Sequence, residues 1–400
     1  MTVSILQIHT RYTQAGGEDR VVAEEHALLR RRGHAVRSCT FDNRELEPLP
    51  PLRQVARALW NRRAAEAVRR AIEECRPDVV HIHNTFLAAS PAAVHAAARR
   101  RPVVVTLHNY RLACANGLFW RQGKTCEACC GRLPWRAALY GCWQDSRPRS
   151  AAAAAVLALQ QALGTWRQVD AFIALTPFVR DKAVAMGLPE DRIHIKPNVL
   201  VTDPGPGEGR GGFALFVGRL SPEKGLGILF AAWQRLGRRL PLVVVGDGPL
   251  AEQAAQAAER VPGVEWRGPR PADEVLRLMQ QAAFLVFPSL SYEAFPRVIL
   301  EAFACGLPVL CSRLGSPASL VAHGRTGLHF QPGDAADLVR QVEELLASPP
   351  RLAAMRHAAR REFEEKYTVE KNYAMLMAIY EQAVRRARER LGARPGTGTS

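Results

Sequence analysis

Several residues early in the chain follow short apolar runs and are of types that bind anions or transfer protons. Gly16 and Gly17 come after the apolar run at 3–8, just before a helical pattern. Glycine amides at a helix start can approach an anion closely, because no Cβ intervenes. A tight turn explains the pair equally well. His108 follows the apolar run at 102–107, which suits a side chain that reaches into a ligand cleft, although a structural histidine is an equal alternative.

A second pair of histidines lies within an apolar run. His81 and His83 alternate in the segment DVVHIH, and side chains two positions apart on a strand share one face of the sheet. We interpret the pair as packed and hydrogen-bonded rather than as metal ligands.

Cysteines are concentrated in one short region. Five of the nine fall between residues 114 and 142, and four of them have the spacing C-x11-C-x2-C-x12-C: Cys114, Cys126, Cys129 and Cys142. In a reducing compartment, four thiols around a CxxC pair indicate a tetrahedral structural zinc site. A redox pair and simple burial of small apolar side chains are the alternatives. A zinc ion held by four thiolates would have no open position for catalysis.

The elements that position these residues alternate between strands and helices. Val-rich and Ile-rich runs without polar alternation predict parallel strands buried on both faces, and their alternation with helical patterns predicts a doubly wound domain over residues 1–200. The Cys-rich region forms an insertion at 111–145. Ligands of such a domain lie at the carboxyl ends of the strands, where the glycines and histidines fall.

The strand–helix pattern restarts after a Gly- and Pro-rich linker at 201–212. It predicts a second Rossmann-like domain at 201–372, a helix at 373–392 that crosses back to the first domain, and a disordered tail at 393–400. The predicted fold class is therefore α/β, with two Rossmann-like doubly wound domains facing across a cleft.

Motifs in the expected order throughout the chain resemble those of the family 4 glycosyltransferases, which are retaining enzymes of the GT-B fold. The second half contains FVGRLSPEKG, VVVGDGP and FPSLSYEAFPRVILEAFACGLPV, and the first half contains GGEDRVV, TLHNY and KPNV. The segment HNYRLACANGLFW…KTCEACCG also resembles a subgroup found among bacterial surface-polysaccharide enzymes.

The resemblance implies roles for the charged residues of the second domain. Arg219 and Lys224 lie between a strand and a helix, where two cations can hold the donor diphosphate and stabilise the charge that builds on it. A surface ion pair is the alternative for either residue. Glu293 and Glu301 have the paired-glutamate spacing of the family, in which the first contacts the donor sugar and the second binds the ribose hydroxyls.

The resemblance extends to residues around these groups. It implies that His108 faces the donor sugar and that backbone atoms of Arg267 contact the base. Ala294, Phe295 and Pro296 form a turn that is expected to face the sugar and the diphosphate. A helix is expected to start directly after this turn, at Arg297. Pro296 stands where many members have glycine, so this turn departs from the family pattern at that position. No Asp-x-Asp motif occurs in the sequence, so we expect no metal cofactor for catalysis.

The net charge of +16 is concentrated in the first half. Residues 1–200 hold 29 Lys and Arg against 17 Asp and Glu, whereas residues 201–400 hold 25 against 21. The segment Leu52–Cys75 predicts one amphipathic helix, with a stripe that includes Leu52 and Trp60 and an Arg-rich opposite face. That face is either a solvated surface or a contact with anionic lipid.

The sequence therefore predicts a hexosyl-type, retaining glycosyltransferase of surface-glycan biosynthesis. Its expected partners are a UDP- or GDP-linked sugar donor, a lipid-linked or polysaccharide acceptor, and an anionic membrane surface. The start of the chain lacks signal-peptide features, so we expect a cytoplasmic protein that is peripheral on the inner face of the membrane. The alternatives are a sugar-nucleotide epimerase of the same fold and a basic nucleic-acid-binding protein. The second is disfavoured because no recognition module is evident, so no nucleic-acid partner is expected.

Overall fold

The computed structural model describes residues 2–13 and 16–392, and it divides into two compact units. The first unit holds the chain up to Val199, except Phe119–Cys126, together with the chain from Asn372 onward. The second unit holds Leu200–Lys371 and Phe119–Cys126. The predicted disordered tail at 393–400 lies outside the described residues.

The strands of the described residues are, in chain order, β1 (Ser4–Arg11), β2 (Ala35–Asp42), β3 (Val79–Ile82), β4 (Val103–Leu107), β5 (Trp120–Arg121), β6 (Lys124–Thr125), β7 (Ala171–Ala174), β8 (Ile193–Ile195), β9 (Ala214–Val217), β10 (Leu242–Val245), β11 (Val264–Trp266), β12 (Phe284–Phe287), β13 (Val309–Ser312) and β14 (Gly327–Phe330).

The α-helices of the same residues are α1 (Gly17–Arg31), α2 (Pro51–Leu59), α3 (Arg62–Cys75), α4 (Ser90–Ala98), α5 (Trp135–Tyr140), α6 (Arg147–Ala162), α7 (Pro177–Ala185), α8 (Leu226–Leu236), α9 (Ala251–Arg260), α10 (Ala272–Gln281), α11 (Arg297–Ala304), α12 (Gly315–Leu320), α13 (Ala335–Leu346), α14 (Pro349–Lys366) and α15 (Val369–Gly392).

Each unit is built on a parallel sheet, as the apolar runs predict. The first sheet has the order β2-β1-β3-β4-β7-β8, and the second has the order β11-β10-β9-β12-β13-β14. Strands β5 and β6 pair separately as a short antiparallel hairpin. Both orders are those of doubly wound folds, in which helices cover the two faces of the sheet. The α/β fold class is confirmed, with a Rossmann-like order in the second unit.

The central strands are buried because their side chains are apolar on both faces. In the first unit, Ile5, Leu6, Val79 and Val80 are fully buried. In the second unit, the side chain of Trp233 is fully buried in the core, and its indole N–H donates to the carbonyl of Leu240 at 2.8 Å. That hydrogen bond gives a partner to the indole N–H, the one polar group of tryptophan that would otherwise be buried without one.

The single helix predicted over Leu52–Cys75 is wrong, because two helices occupy the segment. α2 ends at Leu59, Trp60 is extended, and the Asn61 side chain accepts hydrogen bonds from the amides of Arg63 and Ala64 to cap α3. An Asn side chain at this position competes with the continuing helix for backbone donors. The predicted apolar stripe also fails at Leu52, which is 85% exposed.

The last helix, α15, begins at Val369 and packs in the first unit from Asn372 onward. The Asn372 side chain donates to the carbonyl of Pro197 at 2.7 Å, and Arg390 forms an ion pair with Asp170 at 2.8 Å. Within the described residues, the helices are too short or too polar to cross a bilayer.

Candidate functional site

The carboxyl edge of the second sheet brings two predicted site loops together. β9 is the first strand of this sheet in the chain, and it lies between β10 and β12, so the strand order reverses at β9 and β12. Ligands of open α/β sheets bind at such a reversal, outside the carboxyl ends of the strands. The loop after β9 carries Arg219 and Lys224, and the loop after β12 carries Glu293.

An ion pair joins these two loops. The Lys224 ammonium lies 2.5 Å from Oε1 of Glu293, and the Ser289 hydroxyl donates to the same oxygen at 3.0 Å. About a fifth of each charged side chain is exposed, 21% for Lys224 and 18% for Glu293. The pair is therefore held in place by the protein and remains accessible to a ligand.

The backbone fixes the position of the two loops. The amide of Leu290 donates to the carbonyl of Glu223 at 2.8 Å. Gly225 has a φ of +75°, and a Cβ on it would lie 2.0 Å from the carbonyl oxygen of Pro288. Only glycine tolerates this conformation and this contact, which explains the glycine directly after Lys224. Arg219 is exposed in the same loop.

The predicted turn and the second glutamate follow directly. Phe295 and Pro296 are buried, and the carbonyl of Ala294 accepts a hydrogen bond from the Ser316 hydroxyl at 3.0 Å. α11 begins at Arg297, whose guanidinium lies 3.6 Å from Glu301. Proline has no amide N–H, so Pro296 cannot donate to a ligand where a glycine could.

Arg267 lies at another place on this sheet, directly after β11. Its guanidinium pairs with Glu265 at 2.8 Å, and its amide N–H donates to the carbonyl of Val244 at 2.9 Å. The predicted base contact through backbone atoms is therefore limited to its carbonyl oxygen.

The first unit has a comparable edge where β1 lies beside β3. Nε2 of His108 lies 3.1 Å from Nδ1 of His83, and the two rings stack with centroids 5.4 Å apart. Both line a small pocket together with Asn84, Asn109 and Arg111. Burial, followed by the nearby His83, holds the pKa of His108 well below its ordinary value, so the imidazole is neutral at pH 7.

Sequence reasoning missed a polar group beside this pocket. The Asn109 amide donates to Glu18 at 3.4 Å and to the Tyr12 hydroxyl at 3.2 Å, and Arg111 donates to the same hydroxyl at 3.3 Å. Burial raises the pKa of Glu18 to about 8 and that of Tyr12 to about 12. The only sequence signal was the acidic residue in the GGEDRVV segment.

The predicted glycine pair lies at the start of α1. The amide of Gly16 donates to the Asp19 carboxylate at 2.9 Å, and Gly17 is the first residue of the helix. The φ of Gly16 is −133°, an extended conformation open to any residue. In this structure the Gly16 amide is therefore bound to Asp19.

A buried charged network lies behind His108, and it was also missed. Glu25 lies 3.2 Å from the Lys196 ammonium, 3.0 Å from His81 and 3.4 Å from His83. His81 also contacts the Tyr380 hydroxyl of α15 and the Thr106 hydroxyl, each at 2.8 Å. Ligand atoms of Glu25, His81 and His83 all lie within 4.8 Å of one another. The cation that faces Glu25 in the structure is Lys196.

The four cysteines of the predicted zinc site are all half-buried. Cys129 and Cys142 pack against an apolar cluster that includes Phe86, and the Cys114 thiol contacts the Asn116 side chain at 3.0 Å. Cys126 directly follows β6, at the end of the segment Phe119–Cys126. The zinc site stays a prediction.

Comparison with known proteins agrees with this architecture. Residues 207–362 match the profile of the glycosyl transferases group 1, and residues 15–203 match that of glycosyltransferase family 4. A crystal structure of Anabaena HepE in complex with UDP superimposes with a TM-score of 0.65 at 19% identity, over 95% of this chain and 100% of that one. The fold therefore defines a protein of the GT-B class.

Two curated relatives match parts of the chain. The alpha-maltose-1-phosphate synthase of Mycolicibacterium smegmatis is 31% identical over 50% of this chain and 59% of its own length. The D-rhamnosyltransferase WbpZ of Pseudomonas aeruginosa is 36% identical over 39% of this chain and 42% of its own. The chain thus spans about half the length of these relatives. With both family profiles matched in order, it belongs to the family 4 glycosyltransferases.

Proposed function

We propose that this chain transfers a hexosyl group, with retention of configuration, from a UDP- or GDP-linked sugar to a lipid-linked or polysaccharide acceptor in surface-glycan biosynthesis. The observation that carries the proposal is the Lys224–Glu293 ion pair at the strand-order reversal of the second unit. There an ammonium group is accessible, fixed and placed where α/β folds bind nucleotides. The HepE structure contains UDP in its complex, which supports a nucleotide-linked donor.

The proposed chemistry is driven by charge on the leaving group. As the bond between the anomeric carbon and the diphosphate breaks, its electron pair goes to the diphosphate, whose negative charge Lys224 and Arg219 stabilise. The acceptor hydroxyl bonds to the anomeric carbon on the same face, and its proton passes to a diphosphate oxygen. Glu293 holds Lys224 in place and accepts a hydrogen bond from the sugar. Detection of a covalent glycosyl-enzyme adduct would contradict this route.

A thermal-shift screen of nucleoside diphosphates and sugar nucleotides tests the function. Ligands that bind the native protein raise its melting temperature by mass action, so the preferred donor should give the largest shift. Absence of a shift with all of them would contradict the proposal. Isomerisation of a sugar nucleotide in the absence of any acceptor would support an epimerase instead.

We also propose that the first unit rests on an anionic membrane surface. Leu52 and Trp60 are 85% and 39% exposed, a pattern suited to the interface of a bilayer. Trp60 also lines a groove between α3 and α4 that carries four arginines, namely Arg62, Arg69, Arg99 and Arg100. Acidic headgroups would neutralise this charge.

Replacing Arg62, Arg99 and Arg100 with alanine is expected to weaken binding to vesicles of anionic phospholipid by about 100-fold, since each arginine contributes about 1 kcal/mol near such a surface. Co-sedimentation at increasing salt measures the effect. A triple replacement of Arg277, Arg340 and Arg351, which form ion pairs in the second unit, changes the charge equally and is the control. Equal binding by both triple variants would rule out this surface.

A structural zinc ion bound by the four half-buried cysteines is proposed as well. Elemental analysis of the purified protein should find about one zinc per chain, since four thiolates satisfy tetrahedral zinc. Cys129→Ser should lose the metal, whereas Cys39→Ser should keep it. A zinc-free native protein would show that these thiols are simply buried side chains.

A further inference from the structure

The charges in the buried network behind His108 determine which of its groups donate hydrogen bonds and which accept them. Glu25 is 2% exposed and faces the Lys196 ammonium at 3.2 Å. Burial alone would raise the pKa of Glu25, but Lys196, followed by His81 and His83, holds it well below its ordinary value. An ionised carboxylate only accepts hydrogen bonds. Each group that contacts Glu25 must therefore present a proton to it.

Two buried polar atoms in this network face each other. Among the described residues, Oε1 of Glu25 and Nε2 of His83 have no hydrogen bond of ordinary geometry, and the two atoms lie 3.4 Å apart. Buried polar atoms in folded proteins are nearly always paired. A proton on Nε2 of His83 gives both atoms a partner, whereas a proton on Nδ1 leaves two acceptors facing each other.

The state of His83 then decides the state of His108. Burial, followed by the neighbouring His81, lowers the pKa of His83 to about 4, so the ring is neutral and carries one N–H. With that N–H on Nε2, its Nδ1 is an acceptor. Nε2 of His108 lies 3.1 Å from this Nδ1 and must donate to it. The Nδ1 of His108 is left with its lone pair.

We propose that Glu25 and His83 are positioning residues that fix His108 in the tautomer with the proton on Nε2, so that its Nδ1 accepts a hydrogen bond in the pocket. Given the proposed function, the donor to Nδ1 is a sugar hydroxyl. The tautomer matters because a ring with its proton on Nδ1 would repel that hydroxyl's hydrogen.

Nitrogen NMR measures the tautomer without any substrate. In protein labelled with ¹⁵N-histidine, the signals of His108 are assigned by their loss in His108→Gln. The wild type should show a protonated Nε2 and an unprotonated Nδ1. Glu25→Gln offers an amide N–H in place of the carboxylate and should move His108 toward the Nδ1–H tautomer. It should also lower kcat by at least about tenfold, because a wrong tautomer disables a positioned histidine, with little change in donor KM.

Controls separate this effect from loss of folding. Glu25→Gln leaves the buried Lys196 ammonium without a carboxylate partner, which destabilises the folded protein. The double variant Glu25→Gln/Lys196→Met removes both charges and should fold with the altered tautomer. Glu24→Gln changes the adjacent residue of α1, which pairs with Arg20, and should leave His108 as in the wild type.

Three results would overturn the proposal: an Nδ1–H tautomer of His108 in the wild type, an unchanged tautomer and kcat in the double variant, or a metal-ligated Nε2 signal from His83. Failure of sugar nucleotides to bind, with His108 protonated on Nε2, would instead overturn the proposed function alone.

Discussion

Lys224→Ala is expected to lower kcat by about 100- to 1,000-fold, the usual cost of removing one preorganised group that stabilises charge developing in a transition state. Lys224 is fixed by Glu293 at 2.5 Å, so its ammonium is oriented before the donor arrives. The diphosphate gains charge as the glycosidic bond breaks, and the loss should therefore be larger for kcat than for donor binding. Steady-state kinetics with saturating acceptor separate the two.

Lys366→Ala is the matched control for this variant. Lys366 lies in the same unit, is 55% exposed and pairs with Glu362 at 2.6 Å. Like Lys224→Ala, the Lys366→Ala variant therefore removes one positive charge and one ion pair. Its kcat should stay within about twofold of the wild type, because surface substitutions away from a site rarely have large effects. Equal kcat in Lys224→Ala and the wild type would place the leaving group elsewhere.

Glu301→Ala should act on donor affinity instead. A carboxylate that accepts hydrogen bonds from two ribose hydroxyls is a charged partner, and each such bond contributes about 1.5–3 kcal/mol. We expect the donor KM to rise by about 10- to 100-fold while kcat changes little, because the ribose is bound equally in the ground state and the transition state. Competition by the nucleoside diphosphate alone should weaken in parallel.

Glu343→Ala tests whether that effect is specific. Glu343 is 45% exposed on α13 of the same unit and pairs with Arg239. Its KM for the donor should equal that of the wild type. If Glu301→Ala leaves both KM and inhibition by the nucleoside diphosphate unchanged, Glu301 does not contact the ribose.

The second unit is predictable because local patterns determine most of it. Continuous apolar runs give β9 and β12, and the helix start expected at Arg297 is the first residue of α11. The position of Lys224 and Glu293 follows from the order of the strands, since loops at the carboxyl edge of one sheet meet where that order reverses. Their contact at 2.5 Å depends on the positions of two loops relative to each other, and only the folded chain defines these positions.

The first unit shows what local patterns omit. β2 is an edge strand with little burial, so it lacks the apolar run by which the other strands are recognised. Glu25 lies on α1 and Lys196 follows β8, 171 positions later in the chain. A local sequence pattern cannot predict a contact between residues so far apart. The break at Trp60–Asn61 is different, because a capping Asn was visible in the sequence but was outweighed by helical periodicity.

The most direct test of this account is a crystal structure of the protein with the nucleoside diphosphate that gives the largest thermal shift. We predict pyrophosphate oxygens within hydrogen-bonding distance of the Lys224 ammonium and ribose hydroxyls at the Glu301 carboxylate. A nucleotide bound elsewhere, with the Lys224–Glu293 pair untouched, would contradict it.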